Sequence, residues 1–401
     1  MLAHSPPLPL VIDYWRMGVM GFEPSRMVEN EEGILLALQH RDRLRRIRII
    51  WPLLSLQKFI MAMDGDFSIL EYLYVAPGPP AKSNTTQSLV LPHAFQAPHL
   101  RYLILTGFAF PTGHALFPTA VGVVTLSLRK IQSDANFRLS DLFHLLSLLP
   151  QLESLTIGFH SPLSNRDVGT HLSKMSNMMH LTLPNLCHFA FEGVSTYLEI
   201  LLPRVTAPRL RRLRIYSFNQ LTFSVPCLRD FMSRARNLHF RTATVMFSHS
   251  SIQISLHNRK IGHRRCTFSM DVVCSHHDWQ VSSVAQIFTV LGPLIPEVVD
   301  LTLGYSGQLS FLEWDREADR TEWRTLLGSF RNVTTLRLFN GGLAEELSRS
   351  LRPADGESSV DILPKLKIFD YFTWGATSDT FSSFIDARLL AGHPVILAVH
   401  R

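Results

Sequence analysis

Residues 207–216 read Ala-Pro-Arg-Leu-Arg-Arg-Leu-Arg-Ile-Tyr. Leu210, Leu213 and Ile215 follow the spacing L-x-x-L-x-L, and a proline stands two residues before the first leucine. Toward the N-terminus the phrase recurs at Leu186/Phe189/Phe191, Leu152/Leu155/Ile157, Val123/Leu126/Leu128, Leu100/Leu103/Leu105, Leu70/Leu73/Val75 and Leu44/Ile47/Ile49. Toward the C-terminus it recurs at Val298/Leu301/Leu303, Val333/Leu336/Leu338 and Leu366/Phe369/Tyr371. Six of these ten occurrences carry the proline: Pro98, Pro150, Pro184, Pro208, Pro296 and Pro364.

Alternate side chains of an extended strand face opposite ways, so the fourth and sixth positions of the phrase point inward and the fifth points out. Proline lacks a backbone donor and biases its predecessor away from helix, which marks the end of an incoming helix and the start of the strand. A strand and a returning helix repeated every 20–30 residues or so is the leucine-rich-repeat signature. Neighbouring units must stack, because one unit cannot bury its apolar edge alone. The expected fold is therefore α/β: a leucine-rich-repeat solenoid with a curved, mostly parallel sheet on the concave face and helices and loops on the convex face.

The 401 residues exceed the roughly 250–300 at which a single globular core stops growing. A solenoid escapes that limit, so the expected organisation is an irregular N-terminal segment over 1–26, one repeat domain over 27–395 and a tail over 396–401. Hydrophobic content of 46% against 18% charged residues argues for an ordered chain. A net charge of +6 and a pI near 9.3 favour acidic partners only weakly. Four cysteines without a C-x-x-C pair do not make a disulfide framework, which points to a reducing compartment. With no basic region ahead of an apolar run at the start, and no apolar run long enough to span a bilayer, a cytoplasmic or nuclear protein with no membrane partner is expected.

Helical spacing of apolar residues predicts helices over 29–40, 53–63, 141–149, 196–204, 227–236, 282–292, 322–330, 344–351 and 379–391, with Ser140 as the N-cap of the third. Loops are expected over 77–92 and over the Ser/Asn-rich stretch 161–178. A weak phrase at Met178/Leu181/Leu183 is set aside because it lacks the proline and leaves no room for a connection. Between 240 and 297 the phrase is lost. Ile252/Ile254/Leu256 and Phe268/Met270/Val272 alternate as strands, and 240–247 with 251–257 reads as a hairpin within an irregular strand insert near 240–275. The apolar segment 392–401 is expected to cap the last repeat.

Reactive constellations are weak. Gly304-Tyr305-Ser306-Gly307 places its second glycine one position early for a nucleophile elbow and follows a repeat strand, so a turn is the better reading. Cys266, Cys274, His276, His277 and Asp278 lack the short spacings of a metal site, and Cys187-His188 lies in a repeat strand. Glu313, Asp315, Glu317 and Asp319 alternate with Arg316 and Arg320 as a solvated loop. No phosphate-binding or dinucleotide glycine pattern occurs. The expectation is no enzyme, no cofactor and no metal.

A surface remains. The outward positions of the phrase, with its seventh position, give a candidate protein-binding face on the concave side. It comprises Arg46, Arg48, Tyr72, Tyr74, Tyr102, Arg129, Arg212, Arg214, Tyr216, Arg337, Phe339 and Phe372. Arginine and aromatic side chains are the types enriched at binding hot spots, and arginine pairs bidentately with carboxylate or phosphate. The expected partner is a client protein offering an acidic or phosphorylated segment. The plainer account is that exposed strand positions favour Tyr and Phe for β propensity alone. Nucleic acid is the poorer reading, because Asp300, Asp370 and Glu192 interrupt the basic stripe.

The order of several segments resembles a large family of fungal F-box proteins with irregular leucine-rich repeats. The segments are 8–14 (LPLVIDY), 44–49 (LRRIRI), 97–105 (APHLRYLIL), 183–219, 243–256 (ATVMFSHSSIQISL), 278–283 (DWQVSS) and 384–395 (FIDARLLAGHPV). The resemblance implies the substrate-binding half of an SCF-type ubiquitin ligase receptor, with adaptor and cullin as partners where an F-box is present. That box is expected to be missing here: Val11 stands where the acidic residue after a Leu-Pro opening belongs. The alternatives are a free-standing repeat scaffold unconnected to ubiquitin and, more remotely, a hydrolase within the insert.

Overall fold

The computed structural model describes residues 8–15, 24–78, 88–109, 113–131, 139–160, 180–218, 225–258, 266–274, 277–306, 320–339, 343–352, 360–372 and 378–400. The stretch 161–178, the acidic loop before Arg320 and most of the loop 77–92 lie outside these residues. The chain divides into two compact units, one of Met1–Gly193 with Arg204–Arg209 and one of Val194–Pro203 with Leu210–Arg401.

In the first unit the order is β1 (Leu10–Trp15), α1 (Pro24–Leu38), β2 (Leu44–Trp51), α2 (Leu53–Ala62), β3 (Tyr72–Pro77), β4 (Tyr102–Thr106), α3 (Leu116–Thr119), β5 (Thr125–Ile131), α4 (Leu139–Ser147), β6 (Ser154–Phe159), β7 (Leu181–Thr182) and β8 (His188–Gly193). Strands β1 to β6 and then β8 pair in sequence order, every pair parallel. The weak phrase near 181 forms only β7, which pairs with β9 (Val205–Thr206) apart from the main sheet. β1 runs through a segment expected to be irregular; its alternation of Val11, Ile12 and Asp13 is a strand pattern in hindsight.

The second unit holds α5 (Ser195–Leu201), β10 (Arg212–Ser217), α6 (Pro226–Arg234), β11 (Thr242–Phe247), β12 (Ser251–His257), β13 (Cys266–Val273), α7 (His277–Leu291), β14 (Asp300–Tyr305), α8 (Arg320–Gly328), β15 (Thr335–Phe339), α9 (Ala344–Leu351), β16 (Ile368–Phe372), α10 (Ser382–Leu390) and β17 (Ile396–His400). β11 to β17 form a strand-and-helix run with β11–β14–β15–β16–β17 parallel. β12 is antiparallel to both β11 and β13, and β13 is parallel to β10. The expected hairpin is thus the first half of a three-strand meander. Within the apolar segment expected to cap the last repeat, Ile396–His400 form strand β17 where a tail was expected.

Nine of the ten repeat strands start two residues later than the phrase does, β2 at Leu44 being the exception, for a reason visible in the backbone. The first apolar residue closes a four-residue turn: Leu100 N–H donates to Ala97 O at 3.1 Å, Leu152 to Leu149 at 3.2 Å, Val298 to Ile295 at 3.1 Å and Leu366 to Leu363 at 3.0 Å. The proline therefore occupies the second position of the turn, where its fixed φ is pre-set. The carbonyl of the next residue then accepts two N–H groups from the following repeat. Val124 O takes Glu153 N at 2.8 Å and Ser154 N at 3.0 Å; Thr334 O takes Lys367 N at 2.9 Å and Ile368 N at 3.0 Å. Asparagines tie one turn to the one before it, Asn185 Nδ2 to Pro150 O at 3.3 Å and Asn332 Nδ2 to Pro296 O at 2.7 Å.

The turn fixes which side chains are buried. Leu73, Leu103, Leu126, Leu155 and Phe189 lie in one register row, and Val75, Leu105, Leu128, Ile157 and Phe191 in the next; all are buried. In the second unit a row runs Ile215, Met270, Ile254, Val245, Leu303, Leu338, Tyr371, unbroken through the antiparallel meander and buried throughout. Helices cover this side. Phe59 of α2 meets Trp51 at 5.7 Å between ring centroids, and Trp323 of α8 meets Phe247 at 5.7 Å.

Helix ends differ from expectation where local chemistry intervenes. Ser140 lies inside α4, its hydroxyl 3.4 Å from Asp141 Oδ1, instead of capping it. α5 gives way to a 3-10 turn at Leu202, because Pro203 has no N–H to continue the ladder. α7 begins at His277, five residues early; Gln280 Nε2 ties its first turn to the carbonyls of Ser248 and Cys274, both at 2.7 Å. No sequence pattern announces that tertiary bond.

Candidate interaction face

The outward side chains of the first unit converge around β1 to β4. Register brings Arg46, Tyr72 and Tyr102 side by side, and likewise Arg48 and Tyr74. The Arg46 guanidinium lies 4.4 Å over the Tyr72 ring, Tyr72 sits 5.8 Å from Tyr102, and Arg48 lies 5.6 Å over Tyr74. Such cation–π contacts hold long side chains in place at modest cost. Asp13 of β1, absent from the expected set, faces both arginines at 3.6 Å from Arg46 and 3.8 Å from Arg48. Its signal was an acidic residue at an outward position of a strand read as irregular.

Beyond β4 the row shrinks to Thr125, Ser154 and Thr156. Arg129 stands apart, exposed where β5 bulges between Leu128 and Ile131, beside Lys130 at φ 50°. Burial raises the carboxyl of Glu192 nearby, against the opposing pull of Arg129, Lys130 and His160.

In the second unit Arg212 and Tyr216 are exposed on β10, and Arg214 Nε is 3.4 Å from Ser269 Oγ on β13. Burial raises the Asp271 carboxyl, offset by a hydrogen bond from Gln253 and by the charge of Arg214. Farther along, Arg337 bridges Asp300 at 3.5 Å and Asp370 at 3.3 Å, and His400 reaches Asp370 at 3.6 Å. Phe339, Phe372 and His400 stack across three strands, each pair 4.4 Å between centroids and 10° and 15° from parallel. That spacing is close to the ~4.8 Å between strands, so the register itself sets the stack. His400 was not anticipated.

All twelve expected residues lie on β strands, opposite the core rows. They do not form one open basic stripe: Arg46, Arg48 and Arg337 already have carboxylate neighbours. Several shorter outward residues, Ser127, Asp300, Thr302 and Thr335, are buried. Asp300 illustrates the cause, lying beside the longer Arg337 side chain.

Ser306 N–H donates to Phe247 O at 2.7 Å and its Oγ lies 3.4 Å from the same oxygen, which continues the β11–β14 ladder. Cys274 is buried; residues 275 and 276 and the side chains of Cys266, His277 and Asp278 lie outside the described residues. Burial, helped by Glu199, pushes the Cys227 thiol up to about 11, far from a reactive thiolate. Among the described residues no group of three or more His, Cys, Asp or Glu could hold a metal ion, and no helix is long and apolar enough to cross a membrane.

No protein-family model matches the chain, and no curated protein matches it either.

Proposed function

We propose that this chain is a non-catalytic recognition scaffold, free-standing with respect to ubiquitin, that grips a partner protein on the sheet faces opposite its helices. One observation carries the reading: the outward arginines and aromatics are held by cross-strand contacts before any partner arrives, as in the Asp13–Arg46–Tyr72–Tyr102 row and the Phe339–Phe372–His400 stack. Rigid side chains of these types lose little freedom on binding, which favours affinity. Carboxylates already beside Arg46, Arg48 and Arg337 make a purely acidic segment a poorer fit than a segment with apolar and aromatic anchors.

Capture from the native host with wild type, with Tyr72→Ala/Tyr102→Ala and with Phe339→Ala/Phe372→Ala tests this. A partner kept by wild type and by Leu54→Ala, on exposed α2, but lost by either face variant supports the reading. Equal capture by all four defeats it.

The narrower reading, a leucine-rich-repeat receptor of an SCF-type ligase, rests on the order of segments from 8–14 to 384–395. Co-purification of adaptor and cullin with the full chain would support it, and recovery of neither would leave the free-standing scaffold.

A further inference from the structure

The last strand of the second unit is built as an edge. α10 ends with Gly392 N–H donating to Leu389 O at 3.0 Å and His393 N–H to Arg388 O at 2.9 Å, with Gly392 at φ 77°. This is the Schellman arrangement, and Pro394 then forces the chain to extend. Arg388, buried, donates to Leu363 O and Leu366 O at 3.4 and 3.2 Å and pins the helix to the last repeat turn. β17 therefore has a defined position beside β16.

Its other side is unpaired among the described residues. Ile396 N–H donates to Lys367 O at 2.9 Å, so Ile396, Ala398 and His400 turn their backbone groups toward β16. Leu397 and Val399 turn theirs to the open side. The core also stops short here. Phe369 and Tyr371 are fully buried, yet their row partners Leu397 and Val399 are half-exposed, Val399 at 37%. Around them stand Leu389 at 61%, Leu390 at 89% and Ile396 at 69%. β1, which among the described residues pairs only with β2, is finished differently. It carries the charge of Asp13, buries Ile12, and packs Tyr14 on Trp51 at 4.5 Å with Asn30 donating to the Tyr14 hydroxyl at 2.7 Å. β17 has no lysine, carboxylate, proline or bulge, the devices that keep edges from pairing.

We propose that β17 pairs antiparallel with β17 of a second copy of this chain, about a two-fold axis at Ala398. The strand is self-complementary in that register. Leu397 falls opposite Val399 of the second copy and the two exchange their open N–H and C=O groups. Ile396 falls opposite His400, which extends the Phe339–Phe372–His400 row with an apolar neighbour. Charge is compatible: the two Asp370 carboxylates are separated by three strand spacings, ~14 Å, beyond the ~8 Å screening length. Five strand residues and one helix end make a smaller patch than the roughly 20–30 residues a side of a standard interface. The dimer is accordingly weak, with a dissociation constant on the order of micromolar. The proposal is independent of what the sheet faces bind.

Sedimentation velocity of the full chain from about 1 to about 200 µM tests it. Wild type is expected to pass from monomer to dimer and stop there. Val399→Pro removes an outward N–H without touching the β16 ladder and should stay monomeric with an unchanged circular dichroism spectrum. Leu390→Glu, at a surface position, should weaken association by about tenfold or more. Hydrogen exchange gives a second readout, in which the Leu397 and Val399 amides gain protection only at high concentration; it decides the matter with Leu390→Glu if Val399→Pro fails to fold. Wild type that remains monomeric, assembly that grows past the dimer as pairing with β1 would produce, or a Leu390→Glu dimer as tight as wild type would each overturn the proposal.

Discussion

β4 to β6 and β11 to β13 build equivalent core rows by different means. In the first set each strand enters from a four-residue turn, runs parallel to its neighbour and is recognisable by its spacing of leucines. In the second only β11 keeps such a turn, Leu238 N–H donating to Ala235 O at 3.2 Å; into β12, Ser248 folds the chain back within three residues, its Oγ accepting Ser251 N–H at 3.0 Å, and the strand direction reverses. The core row survives because the period of two is indifferent to strand direction. Ile254 on the reversed strand is as buried as Leu103 on a regular one. Side-chain parity, rather than the repeat phrase, is thus what the core requires; the phrase is one way to deliver it.

The sharpest way to break this comparison is to truncate both rows. Leu103→Ala and Ile254→Ala should each cost about 2–5 kcal/mol in denaturant unfolding, with no discount for the meander. A cost under about 1 kcal/mol for Ile254→Ala alone would mean the meander is an appendage to the core.

A smaller effect separates the helices that return from these strands. Glu199 of α5 accepts Cys227 N–H at 2.7 Å and Leu228 N–H at 2.9 Å, and so caps α6 at a point where the sequence offers no Ser, Thr, Asp or Asn cap. Glu199→Ala should destabilise the second unit by about 1 kcal/mol, as loss of an N-cap does, and Glu199→Gln by less.

Smaller still is the proline in the turn. Pro150→Ala should cost about 0.4–1 kcal/mol, mainly by loosening the unfolded chain. The meander offers no such position, so an alanine scan of 248–250 should show loss at Ser248 only.

The last contrast is with pH. His114 accepts Leu116 N–H on Nδ1 at 3.1 Å while Nε2 faces Pro92 O at 2.8 Å, so the bound ring is neutral. Burial chiefly, and His93 to a lesser degree, hold its pKa below the ordinary 6.5. Stability from this group is complete above the unfolded value and is lost as pH falls through the lower folded one. Thermal melts of wild type should drop more between pH 7 and pH 5 than those of His114→Gln, by a margin that disappears above about pH 7. Parallel curves would show that His114 does not titrate with folding.

The regular strands were legible because each carries its own spacing; strands 100–106, 152–158 and 333–339 were placed within two residues, with the offset explained by the turn. The meander was legible only as alternation, since Ile252, Ile254 and Leu256 have no turn signal to give direction or neighbour. Its order, β10 beside β13 and β11 beside β14, depends on long-range pairing that no local pattern encodes. On the candidate face, the residue types at Arg46, Tyr72 and Phe372 could be read from position alone. Their neutralisation could not, because Asp13 and Asp370 approach from other strands. Edge behaviour was half legible: the apolar 392–401 was expected to cover the last repeat, and it does pair with β16, but as a strand that leaves Leu397 and Val399 half-exposed.

Hydroxyl-radical footprinting of the chain with and without its captured partner tests the central claim most directly. Protection is predicted at Tyr72, Tyr102, Phe339 and Phe372, with Leu36 and Leu54 on the exposed helices unchanged. Protection confined to the helices, or none at those four aromatics, would contradict the account.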